Sequence, residues 1–140
     1  MKKSIYLIAL AIAMVVLIAG CAAGNKENEN KALAISDIQY DPLSFTGEIS
    51  LTGINVALYM PDPTIFFLMD TEELLLCKNL QCGAFQLPVT YTGSDPMPEL
   101  ADEVVITGSW VEYVEDGNSI TIFGATSITV NRNVMDILMS

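Results

Sequence analysis

The side chains best suited to chemistry in this 140-residue chain are three cysteines, Cys21, Cys77 and Cys82; there is no histidine. Cys77 and Cys82 enclose only Lys-Asn-Leu-Gln. A pair so close in sequence has three uses. In oxidising surroundings it joins as a disulfide that closes a short loop. As two thiolates it holds a metal, helped by Asp70, Glu72 or Glu73. Without histidine or a second cysteine pair, however, four tetrahedral ligands are hard to assemble. As a dithiol it cycles redox equivalents, although its spacing is wider than the Cys-x-x-Cys arrangement that tunes a thiol pKa. The disulfide is the leading reading, and metal or thiol-redox handling is the alternative. The compartment decides between them.

Other chemistry is poorly served. The chain has no nucleophile elbow and no phosphate-cradling glycine loop, so a non-enzymatic protein without a cofactor is expected. The alternating Asp/Asn spacing of a calcium loop is absent. No carboxylate pair singles itself out for glycoside hydrolysis. Glu99, Asp102 and Glu103 read as a solvated acidic loop. Trp110 shares phase with Val104 and Ile106, which assigns it to a core rather than to a ligand. Tyr91 and Tyr113 are either binding aromatics or rim residues.

The N-terminus sets the compartment. Met1-Lys2-Lys3 precedes an apolar run from Ile5 to Ala19, interrupted only by Tyr6. A short positive start before about fifteen apolar residues is the pattern of a secretory signal rather than a stable span. The run ends in Leu17-Ile18-Ala19-Gly20-Cys21, which resembles the lipobox of bacterial lipoproteins. That resemblance implies a signal peptide over 1–20, a diacylglyceryl group on the Cys21 thiol, and cleavage that leaves Cys21 as the N-terminus. Each buried methylene contributes roughly 0.8 kcal/mol, and stable anchoring needs more than one chain, a condition that a diacylglyceryl cysteine meets. The competing reading is an uncleaved N-terminal helix. Ala22 lacks the acidic residue that resembles an inner-membrane retention signal. The expected location is therefore outside the cytoplasm, on an outer membrane facing the periplasm or on the outer face of a single membrane. Residues 21–35 are expected to be the lipidated cysteine and a small, polar, flexible tether.

Beyond Cys21 the basic residues are Lys26, Lys31, Lys78 and Arg132, against all seventeen Asp and Glu, a formal charge of about −13. Such acidity repels phosphate backbones, and nucleic-acid binding normally needs a basic stripe, so nucleic acid is excluded as a partner. Cations, cationic peptides and basic proteins are favoured electrostatically.

The rest reads as one small, mostly β domain over 36–130 with a tail over 131–140. From Phe45 to Tyr59 apolar residues alternate at 49 and 51, then change phase to 54, 56 and 58. The slip at Gly53 predicts a β-bulge in a long bent strand. Ile65 to Met69 is a short apolar run. Phe85, Leu87, Val89 and Tyr91 alternate with polar residues or Pro88. Val104 to Val114 is rich in β-branched residues, broken by Gly108. In Ser119 to Val130, Ile120, Ile122, Ile128 and Val130 are expected on one face, entered through an Asp116-Gly117-Asn118 hairpin turn. Asp70 is placed to cap a helix through Leu76, with Glu73 completing a capping box. The tail is either a short helix over the domain or a frayed end.

Five strands led by a long glycine-bent one suggest a small Greek-key barrel. Phe45-Thr46-Gly47-Glu48-Ile49 with Leu51-Thr52-Gly53, and Val104-Val105-Ile106-Thr107-Gly108-Ser109-Trp110, resemble strands of cell-envelope proteins of the oligonucleotide/oligosaccharide-binding (OB) fold. Leu87-Pro88-Val89-Thr90-Tyr91-Thr92-Gly93, Pro96 and Asp102-Glu103-Val104 extend the likeness. It implies a five-stranded OB-like barrel with one or two short helices. Two features depart from that fold: the basic and exposed aromatic residues that bind nucleic acid are missing, and Gly93 to Asp102 leaves room for a helix of a turn or two at most. Cys77 and Cys82 ahead of Val89, Val104, Ile106 and Gly108 are also similar to the OB-like modules of envelope permease accessory subunits, which implies a transporter as partner. The expected function is a membrane-anchored, non-enzymatic binding or accessory module for another envelope protein.

Overall fold

The computed structural model describes residues 31–140; the expected signal peptide, Cys21 and the tether up to residue 30 lie outside the described residues. The chain is mostly β, built as a six-stranded sheet with three short helices. The strands are β1 (Leu33–Ala34), β2 (Ile49–Leu58), β3 (Ile65–Met69), β4 (Leu87–Tyr91), β5 (Asp102–Glu115) and β6 (Asn118–Asn133). The helices are α1 (Ile35–Ile38), α2 (Thr71–Cys77) and α3 (Met135–Leu138), with a 3-10 turn at Pro42–Ser44. The sheet order is β1-β2-β3-β4-β6-β5, and β2 also pairs with β5. The β1–β2 and β4–β6 ladders are parallel and the rest antiparallel. The stretch read as tether thus already holds regular structure from Leu33, because Leu33 and Ala34 pair with Leu51 and Thr52 and Ile35 is buried.

The phase change in β2 has another cause than a bulge at Gly53. Its ladder to β5 runs unbroken from Ile49↔Gly108 to Ile54↔Glu103. The strand instead buries both faces in turn. Leu51 belongs to the main core with Phe66, Leu68, Leu87, Val89, Val104, Ile106 and Phe123. Ile54 and Val56 belong to a second core with Met69, Leu74, Ala101 and Val134, against which Leu75, Met135 and Leu138 pack. Helices α2 and α3 therefore cover the opposite face of the sheet at this point. The true irregularity lies between Asn55 and Ala57, opposite Leu68 and Phe67. Gly53 answers a different need: an added Cβ would lie 2.7 Å from the Met69 carbonyl oxygen and 2.8 Å from Ile35 Cγ1.

Strand β6 also departs from simple alternation. Its register against β5 shifts between Glu103 and Val104 and between Thr107 and Gly108, which leaves Asn131 and Thr126 unpaired on β6. Each extra residue flips the side-chain phase. Ile122 and Ile128 are buried but Ile120 and Val130 are about half exposed, so the four do not share one face. Strand β5 runs through Gly108 without a break. The turn into β6 is as expected: Asp116 and Gly117 have φ of 50° and 80°, the positive pair that a two-residue hairpin requires.

Asp70 caps α2 as the spacing predicts. Its Oδ1 accepts the N–H groups of Glu72 (2.9 Å) and Glu73 (3.1 Å), and its Oδ2 accepts the Ser36 N–H (3.0 Å). The reciprocal half of the capping box is absent, because Glu73 Oε1 turns to the Ala84 N–H at 3.3 Å. Burial pushes the Asp70 carboxyl up, but the hydrogen bonds from Ser36, Glu73 and Glu72 together hold it below the usual carboxylate range. A depressed carboxyl adds stability above its unfolded pKa, and that stability is lost as pH falls through the folded value. Asp70→Ala should cost about 1–2 kcal/mol at neutral pH. Urea midpoints of mutant and parent should converge below about pH 4.

Of the acidic run, Glu99 is exposed as expected, whereas Asp102 and Glu103 are structural. Asp102 is buried; its Oδ2 accepts the Glu99 N–H (2.7 Å) and its Oδ1 accepts Asn133 Nδ2 (2.8 Å). Glu103 pairs with Arg132 at 2.7 Å. The tail continues β6 to Asn133 and then forms α3, with Val134 fully buried.

Candidate functional site

The face that carries Ile54, Val56 and Met69 continues past the helices into an open groove of about 200 Å³. Its floor is Ile65 and Phe67 of β3, Pro88 of β4 and Ile122 of β6. Ile120, Tyr59, Tyr113 and Glu115 form its walls. The sequence builds this surface by strand alternation. Phe66 and Leu68 go to the main core, which leaves Phe67 outward; Leu87 and Val89 do the same for Pro88, and Phe123 for Ile122.

Two tyrosine–carboxylate hydrogen bonds tie the β5–β6 hairpin across to the β2–β3 loop. The Tyr59 hydroxyl donates to Glu115 Oε1 at 2.5 Å. The Tyr113 hydroxyl donates to Asp62 Oδ2 at 3.1 Å. The other Asp62 oxygen accepts the Thr64 hydroxyl (2.6 Å) and N–H (3.0 Å). These Thr64 contacts, with a smaller one from Tyr113, hold the Asp62 carboxyl below its usual range. The hydrogen bond to Glu115 raises the Tyr59 phenol, and burial followed by the Asp62 contact raises that of Tyr113. At neutral pH the groove therefore has neutral phenols and an ionised Asp62 at its rim.

Pro88 shapes one side. The β4–β6 ladder starts at Val89↔Phe123, and Pro88 has no N–H with which to extend it. Residues Asn118 to Ile122 of β6 therefore pair only with β5, and their other backbone edge, next to the groove that Ile120 and Ile122 line, has no ladder partner among the described residues.

The residues singled out in the sequence are dispersed. Cys77 ends α2 and Cys82 lies in the loop after it, with their sulfurs at disulfide distance. Among the described residues no cluster of three or more potential metal-ligating side chains occurs. Asp70 spends its oxygens on backbone N–H groups, and Glu73 turns to Ala84. A bridge closing so short a loop contributes about 2 kcal/mol in the chain-entropy model. Cys77→Ser with Cys82→Ser should therefore lower the urea midpoint by that equivalent, and added reductant should reproduce the loss in the parent.

Trp110 is a core residue. Its Nε1 donates to the Phe45 carbonyl at 3.0 Å, and its ring meets Phe123 edge-on at 5.4 Å. Tyr91 is buried, with its hydroxyl donating to Asp95 Oδ2 at 2.8 Å. Tyr113 alone of the three lines the groove. With Tyr59, half-buried like it, Tyr113 gives the groove two partly exposed aromatics. A signal for the site existed in Ile65-Phe66-Phe67-Leu68-Met69: a strand apolar in both phases needs cover on both faces, and over Phe67 the helices supply only part of it.

A wider cleft of about 420 Å³ is lined by Asp37, Asp70, Glu72 and Glu103. Three of these carboxylates are committed, Asp37 to the Ala34 N–H, Asp70 as the cap and Glu103 to Arg132, so it holds no free ligand set. No helix among the described residues is long and apolar enough to cross a membrane. No protein-family model matches the chain, and no curated protein matches it either.

Proposed function

We propose that this chain is a lipid-anchored, extracytoplasmic binding module of OB type that engages another envelope protein without performing catalysis. The groove over β3, β4 and β6 carries this reading, because four strands and the β2–β3 loop converge there on an apolar floor with two tyrosines and acidic rims. The strand pairing supports the OB-type assignment. The five longer strands pair in the order β2-β3-β4-β6-β5, β5 also pairs with β2, and β4 runs parallel to β6, a pairing order expected of a small Greek-key barrel. Barrels of this type bind ligands over their second and third strands, between the loops joining strands one to two and four to five. Here those are β3, β4, the Tyr59–Thr64 loop and the Asp116–Gly117 turn, the elements that surround the groove.

Anchoring rests on Leu17-Ile18-Ala19-Gly20-Cys21, and the Cys77–Cys82 bridge fits an oxidising compartment. Labelled fatty acid should enter the parent chain and not Cys21→Ala, which should also run as an unprocessed precursor. Equal labelling of the two would remove the anchor from the proposal. Crosslinking in intact cells from a photoreactive residue at Ile120 should give a discrete protein adduct. Failure to form any adduct there or at other exposed positions would remove the binding-module reading.

A further inference from the structure

We infer that the groove takes an extended segment of a partner protein that alternates apolar and cationic side chains and lies along the open edge of β6. This names the occupant of the site proposed above and rests on that reading. Three observations combine. Over buried Ile65 and Ile122, the groove leaves Phe67 and Pro88 partly exposed and Ile120 half exposed, which offers apolar contact to an occupant. The rim is acidic: Asp62 and Glu115 each accept one tyrosine hydroxyl, and Asp116 sits at the tip of the adjoining turn. A carboxylate has about four acceptor sites, so both keep capacity for an ammonium or guanidinium group. Among the described residues no basic side chain lines the groove; Arg132 is paired with Glu103, and Lys78 Nζ donates to the Ser140 carbonyl.

The backbone supplies the third element. Asn118 to Ile122 lack a ladder partner on the edge away from β5, because Pro88 ends the β4 pairing. An added strand there gains main-chain hydrogen bonds, while its alternate side chains fall to opposite faces. One set meets the apolar floor, and the other reaches the carboxylate rim. An acidic or phosphate-bearing partner would meet like charge along the same rim and lose that gain.

The probe is a dye-labelled peptide of alternating valine and lysine, titrated by anisotropy into the full chain in detergent. Binding should saturate, weaken as salt rises, and fall about tenfold or more with Glu115→Gln/Asp116→Asn and with Ile120→Ser. The double substitution keeps side-chain shape, and asparagine tolerates the positive φ at position 116. Ile120 is half exposed, so its substitution leaves the core intact. Circular dichroism melts of the variants confirm that they fold. A valine–glutamate peptide should not bind.

The inference is overturned by no saturable binding, by binding that both variants leave unchanged, or by oligolysine binding as tightly as the alternating peptide. Self-association of the peptide-free chain, lost in Ile120→Ser, would make a second copy the occupant and overturn it too. Adducts from intact cells that map only to other surfaces would overturn the inference while leaving the binding-module reading in place.

Discussion

Gly108→Val is expected to prevent stable folding, with a loss greater than about 4 kcal/mol. Gly108 sits in β5 where the register against β6 shifts, so the two backbones approach with nothing between them. A Cβ there would fall on the Gly124 carbonyl oxygen and within 2.8 Å of Ala125 Cα. Both obstacles are backbone, held in a ladder that continues in each direction, so neither yields as a flexible side chain would. Stabilities of small domains lie near 5–15 kcal/mol, and a loss of this size consumes most of that margin. Gly47→Ala is the contrast. Its φ of 81° disfavours a side chain, but nothing lies within 4 Å, so only the left-handed backbone term of roughly 1–2 kcal/mol applies. Urea denaturation of the pair decides the matter. A Gly108→Val midpoint no lower than that of Gly47→Ala would show that the close approach does not constrain the strand.

The second large effect is expected at Asn55. This residue is fully buried, and its Nδ2 donates to the carbonyls of Pro98 (3.1 Å) and Glu99 (3.0 Å). Its own carbonyl accepts the Ala101 N–H at 2.8 Å. One residue, through its side chain and its backbone carbonyl, thus fixes the crossing segment before β5, where Ala101 adopts a φ of 67° that alanine rarely takes. Asn55→Asp replaces two donors by acceptors facing two carbonyl oxygens. With the carboxyl ionised, the expected loss at pH 7 is about 3–5 kcal/mol, the scale for an uncompensated buried charge. Burial and the carbonyls favour the neutral acid, so the folded pKa of the new group rises above its unfolded value near 3.9. The penalty is therefore small below about pH 4 and grows as pH rises toward the folded pKa. Urea midpoints relative to the parent at pH 3.5 and pH 7 test the sign. A deficit equal at both values would mean that ionisation plays no part.

Much of the architecture is legible in the residues. Alternation at 87, 89 and 91, the Asp116-Gly117 turn and the Asp70 cap each follow from local physical chemistry, and each stands where the spacing places it. What escaped was decided by distant partners. The phase change at residues 53 and 54 looks like a bulge because nothing local says that α2 and α3 will cover Ile54 and Val56. The shifts at Thr126 and Asn131 depend on how β6 meets β5, and the β6 pattern alone reads as unbroken. The groove is harder still: Tyr59, Phe67, Pro88 and Tyr113 come from four elements, and only the pairing order brings them together. Tyr113 was legible as an aromatic of uncertain use, whereas Tyr59 and Pro88 gave no sign of their roles.

The β2–β5 ladder also bears on how the chain comes together. Hairpins β2–β3 and β5–β6 join near neighbours in sequence, but Ile49 must find Gly108 and Ile54 must find Glu103 across the whole intervening chain. Loop-closure entropy falls due before that ladder returns any hydrogen bonds, which slows folds dominated by distant pairings. Val134 then seals the second core by donating its N–H to the Ala101 carbonyl at 2.9 Å. Val134 thus helps to lock β2, a strand far upstream of it in the chain. A chain delivered from its N-terminus therefore keeps its second core open until Val134 is free to fold back.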